Sequence, residues 1–459
     1  MKALLRAWRQ GNARSRRAAF CSIATEAYLP WTLVLFDAVA RFNPRAPRVL
    51  LYVRSPGEAW RSPRIDGAQV IGVEDLADAA HEADLRRKYT LAELCFAFKP
   101  RLLRHCLDRH GERAYYLDSD LCILAPMEEA ALALERASVV LTPHLDAPVP
   151  NDGKLPSELT VSRSGACNAG FIGVAESDEA REFLAWWDAR VARYGYVAPE
   201  FGYQGDQKWL DLAPSLFPRV HLLRDPGSNV GSWNLHGRRI ERSFGRAVAN
   251  GRPLSFVHFS GFDPECPDVL SKYQNRIRLE DQPVLAGIAR DYAGLLIDAR
   301  ARAAALEWEP GAAPAAQPGE ATHDPAPMAD EDYRATYEVE IPPGSYESGE
   351  EIPVRAVVTN ASTRTWKVGR APDGTGGIAL SWHLRNQDGE VLAWENNRNY
   401  LPRDLAPGAS VEMRIGIKAM LVPGRYILEL DLVHEGVAWF LLKGSAAPRV
   451  MVFVGLFDA

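Results

Sequence analysis

The sequence predicts an α/β domain followed by an all-β sandwich. Three observations carry this. Strand and helix periodicities alternate from residue 18 to 308, the composition breaks at 309–331, and short strands recur between turns from 332 to 459. The 459 residues allow two or three domains. Hydrophobic residues at 47% and charged residues at 24% are ordinary globular values, which exclude disorder of the whole chain.

The elements follow in order. Residues 18–24 (AAFCSIA) form an apolar run of strand length, and Leu33, Leu35, Phe36, Val39 and Phe42 follow at helical spacing. Residues 48–53 and 68–73 read as the next strands. Residues 91–107 read as a helix that leads into a strand at 114–117. Residues 139–142 and 169–174 are further strands, and 179–194 is a helix carrying Trp186 and Trp187. Such a rhythm builds a sheet with helices on its faces, and ligands gather at the carboxyl ends of its strands. Residues 309–331 (EPGAAPAAQPGEATHDPAPMADE) lack apolar periodicity and read as an extended linker. Beyond it, strands are predicted at 337–341, 352–359, 378–385, 391–394, 410–417, 424–432 and 449–454. Pro343-Gly344, Asp388-Gly389, Pro407-Gly408 and Pro423-Gly424 supply turns. The pattern indicates an antiparallel sandwich, with Trp366, Trp382, Trp394 and Trp439 available for its core or for one face.

The net charge of −6 argues against a general nucleic-acid binder. Six cations and no acid nevertheless cluster in residues 1–17: Lys2, Arg6, Arg9, Arg14, Arg16 and Arg17. Such a tail is either disordered or in peripheral contact with anionic lipid. No stretch has the length and apolarity of a membrane span or the core of a signal peptide. Cys21, Cys95, Cys106, Cys122, Cys167 and Cys266 form no CxxC pair. They read as reduced thiols of a protein expected to stay in the cytoplasm.

The chemistry concentrates in four motifs. Tyr115-Tyr116-Leu117-Asp118-Ser119-Asp120 ends an apolar strand in two carboxylates one residue apart. Alternation in an extended chain would point both to one side, which suits Mg²⁺ or Mn²⁺. A polar turn after a strand is the plain alternative. Phe256-Val257-His258-Phe259-Ser260-Gly261 offers a His at the end of an apolar run, a structural His or a third ligand that favours Mn²⁺. Cys167-Asn168-Ala169-Gly170-Phe171 places a polar residue and a Gly before a strand. In Gly202-Tyr203-Gln204-Gly205-Asp206-Gln207, Asp206 is either a helix N-cap or, with Gln207, a partner for sugar hydroxyls. Residues 228–236 (SNVGSWNLH) read as an active-site loop in which Trp233 either stacks on a sugar or packs inside.

Taken in order, these motifs, with Ala24-Thr25, Tyr28-Leu29-Pro30 and Phe98-Lys99-Pro100 ahead of them, resemble the GT-A fold (Rossmann-like) nucleotide-sugar glycosyltransferases. The likeness covers about residues 18–275 and is nearest to the retaining, family 8-like group of glycogenin and bacterial lipopolysaccharide galactosyltransferases. The resemblance implies a metal held by Asp118, Asp120 and His258. It implies donor contacts from Ala24, Thr25, Lys99, Ser119, Asn168, Ala169, Gly170 and Gly261, to which the 228–236 loop adds Trp233 and Asn234 as candidates. Asp206 and Gln207 would lie near the reacting carbon. The family often carries a Lys soon after the His motif. Here Phe262-Asp263-Pro264 follows, and Lys272, Arg238 or Arg239 would have to meet the diphosphate.

The implied activity is metal-dependent transfer of a sugar from a UDP-sugar to a carbohydrate hydroxyl, with retention, in bacterial-type surface polysaccharide or glycan assembly. Inversion would need a base, for which Asp206 or Asp263 is the candidate. Residues 332–459 loosely resemble Ig-like, tryptophan-containing sandwiches and sugar-reading domains attached to polysaccharide machinery. Val358-Thr359-Asn360 with Trp366, Pro423-Gly424-Arg425-Tyr426 and the run from Glu435 to Phe440 carry that likeness. A polysaccharide-binding or assembly protein with an inactive first domain is the alternative reading.

Overall fold

The computed structural model describes residues 18–55, 61–198, 203–310, 328–342, 345–347, 350–369, 376–394, 396–419 and 424–455. The basic tail from Lys2 to Arg17, most of the 309–331 stretch and the turns at Pro343-Gly344 and Pro423 lie outside the described residues. The chain folds as two compact units, one before and one after that stretch.

The first unit is α/β, as the periodicities predict. Its strands are β1 (Ala18–Ala24), β2 (Arg48–Tyr52), β3 (Gln69–Ile71), β4 (Arg113–Leu117), β5 (Leu121–Ile123), β6 (Val139–Pro143), β7 (Cys167–Ala175), β8 (Val220–Leu222), β9 (Ile240–Ser243), β10 (Arg246–Ala249) and β11 (Phe256–His258). Seven of them form one sheet in the order β8-β6-β7-β4-β1-β2-β3. All neighbours run parallel except β7, which is antiparallel to both β4 and β6. The third strand is shorter than the apolar run at 68–73, because Val73–Asp75 turns into a 3₁₀ helix.

The helices that matter for the site are α1 (Leu29–Phe42), α2 (Leu91–His110), α3 (Asp178–Tyr194) and α4 (Pro283–Ala304). Ala18, Phe20 and Ala24 of β1 share a core with Leu33 and Phe36 of α1 and Tyr292 and Leu296 of α4. Ala19, Cys21 and Ile23 are buried too, and α2 packs on β1 and β4, so the central strand is covered on both faces. Helix α2 starts at a capping box, in which Thr90 accepts from the Glu93 N–H while Glu93 accepts from the Thr90 N–H. Trp308–Pro310 pairs with Arg61–Pro63, so the first two residues of the expected linker are a strand.

The second unit is a sandwich of two sheets. Its strands are β12 (Ala335–Glu340), β13 (Ser345–Glu347), β14 (Glu350–Asn360), β15 (Ile378–Asn386), β16 (Val391–Ala393), β17 (Ser410–Ala419), β18 (Gly424–His434) and β19 (Arg449–Gly455). One sheet runs β12-β14-β17, the other β13-β19-β18-β15-β16. Ladders are antiparallel apart from β13 with β19. Along β14 burial alternates almost residue by residue, as period-2 side chains require of a half-buried strand. Trp366 and Trp382 lie in the shared core with Ile352, Met413 and Leu430. Trp439 and Trp394 form a smaller second cluster, where Trp394 stacks on His383 at 3.8 Å between ring centroids.

A candidate cation site at the carboxyl edge of the sheet

Because β1 and β4 run parallel, their carboxyl ends share one edge of the sheet. Strand β1 hands over to Thr25 and the 3₁₀ turn Glu26–Tyr28, and β4 hands over to Asp118. The two carboxylates of the motif converge by a different route from the expected strand alternation. The Leu121 N–H donates to the Asp118 carbonyl at 3.1 Å, closing a tight turn with Ser119 buried inside it. Strand β11 pairs with β5 in the register His258 to Leu121 and delivers the imidazole to the same spot. One ligand atom each from Asp118, Asp120 and His258 lies within 4.8 Å of the others, and His258 Nε2 is 3.1 Å from Asp120 Oδ1.

The tautomer of His258 follows from the backbone. The Gly170 N–H donates to Asn168 Oδ1 at 3.1 Å, which fixes the orientation of that amide. His258 Nδ1 faces two acceptors, Asn168 Oδ1 at 3.2 Å and Asn229 Oδ1 at 3.3 Å, and so carries a proton. Nε2 of the neutral ring is then the lone-pair atom, turned toward Asp120. Two carboxylates and a ring nitrogen so arranged fit a divalent cation, Mn²⁺ better than Mg²⁺. Burial works against charge on both Asp120 and His258, and each offsets it for the other. Asp120 is held below the ordinary carboxylate range, and His258 above the ordinary imidazole range.

Around this triad most of the polar side chains pair with one another. Lys99, on α2, sends its ammonium to Asp118 Oδ1 at 3.2 Å, Asp206 Oδ2 at 2.9 Å and the Ala169 carbonyl at 3.2 Å. Burial opposes its charge, but the two carboxylates hold its pKa above the ordinary value. Asp206 is thus a buried ion-pair partner of Lys99 and not a helix cap. Burial raises its pKa, and Lys99 offsets that only in part. Gln207 accepts from the Ala169 N–H at 3.1 Å and donates to the Ser164 carbonyl at 2.8 Å, so its amide braces the start of β7. There the β6 register slips between Leu141 and Thr142, a bulge that seats Asn168 opposite Thr142. A Cβ on Gly170 would sit 2.3 Å from His258 Cε1, so this position has to be Gly for the imidazole to fit.

The 228–237 loop closes the other side. Asn234 accepts from the Gly231 N–H and donates to the Asn229 carbonyl, both at 3.0 Å, so its amide is engaged within the loop. Trp233 is buried edge-to-face against His144 and His258, a wall rather than an open stacking platform. Its indole N–H has no hydrogen-bond partner among the described residues. Ala24 is buried at the end of β1, and Thr25 is half-buried beside it.

Of the cations considered for an anionic ligand, Arg238 is buried and paired with Asp146 at 2.8 Å, and Arg239 pairs with Glu241 at 2.7 Å. Lys272 is exposed, and its N–H donates to the Gly261 carbonyl at 3.1 Å. Gly261 has φ +71°, and a Cβ there would meet the Tyr273 ring at 2.6 Å. Asp263 is exposed in a surface turn, accepting from the Glu265 N–H.

Three supporting residues escaped the sequence reading. Asn229 lies in the loop recognised as polar, but its role depends on a φ of +49° that only the fold reveals. Thr142 and His144 end a predicted strand, which was a usable signal. His144 Nδ1 donates to the Gly165 carbonyl at 2.7 Å, and its Nε2 accepts from Asn168 Nδ2 at 3.3 Å. Burial pushes its pKa down to about 4, so the ring stays neutral.

The first unit is therefore an α/β domain with a carboxylate–imidazole cluster, a candidate cation site, at the carboxyl edge of its sheet. No family model matches the chain. The chain is similar to the uncharacterized protein YfnF of Bacillus subtilis (strain 168), with 28% identity over 250 residues, 53% of this chain and 82% of that protein. It is 29% identical over 177 residues to YfnD of the same strain, covering 38% of this chain and 55% of the relative. Among solved structures it is similar to the galactosyltransferase LgtC, determined in complex with donor and acceptor sugar analogs. That likeness has 13% identity, covers 61% of this chain and 95% of LgtC, and has a TM-score of 0.36.

Proposed function

We propose that the first unit is a GT-A-type glycosyltransferase that moves a sugar from a UDP-sugar to a carbohydrate hydroxyl, with retention. The observation that carries the reading is the Asp118–Asp120–His258 triad at the carboxyl edge, with the His258 Nδ1 proton already engaged. The ordered motifs of residues 18–275 supply the reaction class. A divalent cation, held by the triad, would act as a Lewis acid for the leaving diphosphate. Ala24 and Thr25 would meet the nucleotide base. Gly261 would let the backbone pass close to the phosphates, and Lys272 would contribute the cation that the His motif lacks.

Lys99 pairs with both Asp118 and Asp206. Asp206 would sit near the reacting carbon as part of that pair, while Gln207 positions Asn168 to Gly170. Asp206, already committed to Lys99, is a poor candidate for a free nucleophile. This favours proton transfer from the acceptor hydroxyl to an oxygen of the departing phosphate, on the same face as attack.

The test is release of UDP from a panel of UDP-sugars by the full chain, with and without Mn²⁺. One donor should be turned over only with metal, and Asp120→Ala should abolish it. Turnover independent of metal, or unchanged in Asp120→Ala, would sink the metal role. The anomeric proton of the product, read by NMR, decides between retention and inversion.

A further inference from the structure

Away from the cation site, β9 and β10 form a hairpin in the register Ser243 to Arg246, leaving Phe244-Gly245 as a two-residue turn. Both turn residues have positive φ, 47° for Phe244 and 78° for Gly245, as this kind of tight hairpin connection demands. Asn-Gly is the preferred pair for such a turn, whereas a bulky aromatic residue in the left-handed region is an outlier. The ring is also fully exposed, at 103% of its reference area. The left-handed backbone is a cost to folding, and a ring left bare recovers none of it through burial.

The surroundings say what the ring is for. Arg242, Ser243, Gly245 and Arg246 are all exposed, and neither arginine pairs with an acid among the described residues. The single acid between Arg238 and Asn250 is Glu241, which pairs with Arg239. The root of the hairpin is rigid. Ile240 and Ala249 are buried in the main core, and Asn250 Oδ1 accepts from the Arg239 N–H at 2.8 Å. Arg238 ties the same root to the Ser228 carbonyl at 2.7 Å, at the start of the loop that carries Asn229.

We propose that this hairpin is a membrane-docking finger, with Phe244 entering the interface of an anionic phospholipid surface and Arg242 and Arg246 meeting its phosphates. A protein-binding anchor would be expected inside a wider apolar patch that excludes water. Here the ring's neighbours are Ser, Gly and Arg, which is the composition of an interfacial tip: one apolar side chain with cationic flanks. The six cations of residues 2–17 are a second source of attraction to the same surface, so the test is built on Phe244 within the full chain.

The full chain is sedimented with vesicles of phosphatidylcholine alone or mixed with phosphatidylglycerol. The wild type should pellet with the mixed vesicles and much less with the neutral ones. Phe244→Asn installs the preferred turn pair. It should melt no lower than the wild type while losing about ten-fold in vesicle affinity. Arg242→Gln and Arg246→Gln should each lose about five-fold, the contribution of one cation near an anionic leaflet. Wild-type affinity in Phe244→Asn would overturn the proposal, because the basic tail would then account for the binding. So would equal pelleting on neutral vesicles, or failure of the wild type to pellet on either.

Discussion

Asn229→Ala should weaken the binding of Mn²⁺ about ten-fold without touching a ligand atom. In the intact site the His258 Nδ1 proton is shared between Asn168 Oδ1 at 3.2 Å and Asn229 Oδ1 at 3.3 Å. These two amides hold the ring so that Nε2 lies toward Asp120. Loss of an outer partner of a metal-binding imidazole generally costs 10- to 100-fold in affinity. Asn168 stays in place, braced by the Gly170 N–H, so the lower end of that range is expected, about 1.4 kcal/mol. The assay is titration of Mn²⁺ into the full chain, with the free ion followed by electron paramagnetic resonance. It is run in the presence of UDP, at a pH where His258 is neutral. Asp120→Ala is the reference for loss of a ligand and should abolish saturable binding. The raised His258 pKa gives a second readout. Protonation of Nε2 competes with the metal, so affinity should fall with pH from a point above the ordinary imidazole value. Equal affinity in Asn229→Ala and wild type, with Asp120→Ala inactive in binding, would refute the tautomer argument. Unchanged binding in Asp120→Ala would refute the site.

Three further outcomes are expected. Gly170→Ala should fold but lose at least ten-fold in Mn²⁺ affinity by the same titration, because its Cβ would occupy space 2.3 Å from His258 Cε1. Lys99→Met should destabilise the first unit by about 3–5 kcal/mol in urea unfolding at neutral pH, since it strands the buried Asp206 carboxylate. That loss should shrink at acid pH, where Asp206, its pKa raised by burial, takes up a proton. His144, with its folded pKa lowered to about 4, binds its proton later than the unfolded chain does. Stability should therefore drop as pH falls from about 6.5 to about 4, by about 3 kcal/mol, and His144→Gln should remove that part of the slope.

The architecture was legible because burial imposes periodicity. Strand β1 coincides with the apolar run 18–24, and every predicted sandwich strand has a counterpart among β12 and β14 to β19, as turn residues leave the chain few other options. The site was legible only in its end points. Asp118, Asp120 and His258 announce themselves because side chains able to hold a cation stand at the ends of apolar runs, and strand pairing brings them together. What joins them is in part a local turn, closed by the hydrogen bond from the Leu121 N–H to the Asp118 carbonyl, and in part contact across the fold. The tautomer of His258 depends on amides 90 and 29 residues away.

The same distinction separates Gly170 from Phe244. Gly170 was noticed as a place where something could come close, and the sequence pointed to a ligand. The fold fills that space with the His258 ring, so what comes close to the glycine is a side chain of the same chain. Phe244 gave no signal at all, since one aromatic residue in a polar stretch reads as ordinary. Only the hairpin register, the positive φ and the full exposure together turn it into an anomaly. A residue that contradicts both its backbone and its solvent, yet is mounted on a root as firmly packed as Ile240 and Ala249, is not explained by the stability of this chain alone. Its explanation has to lie in what the tip meets.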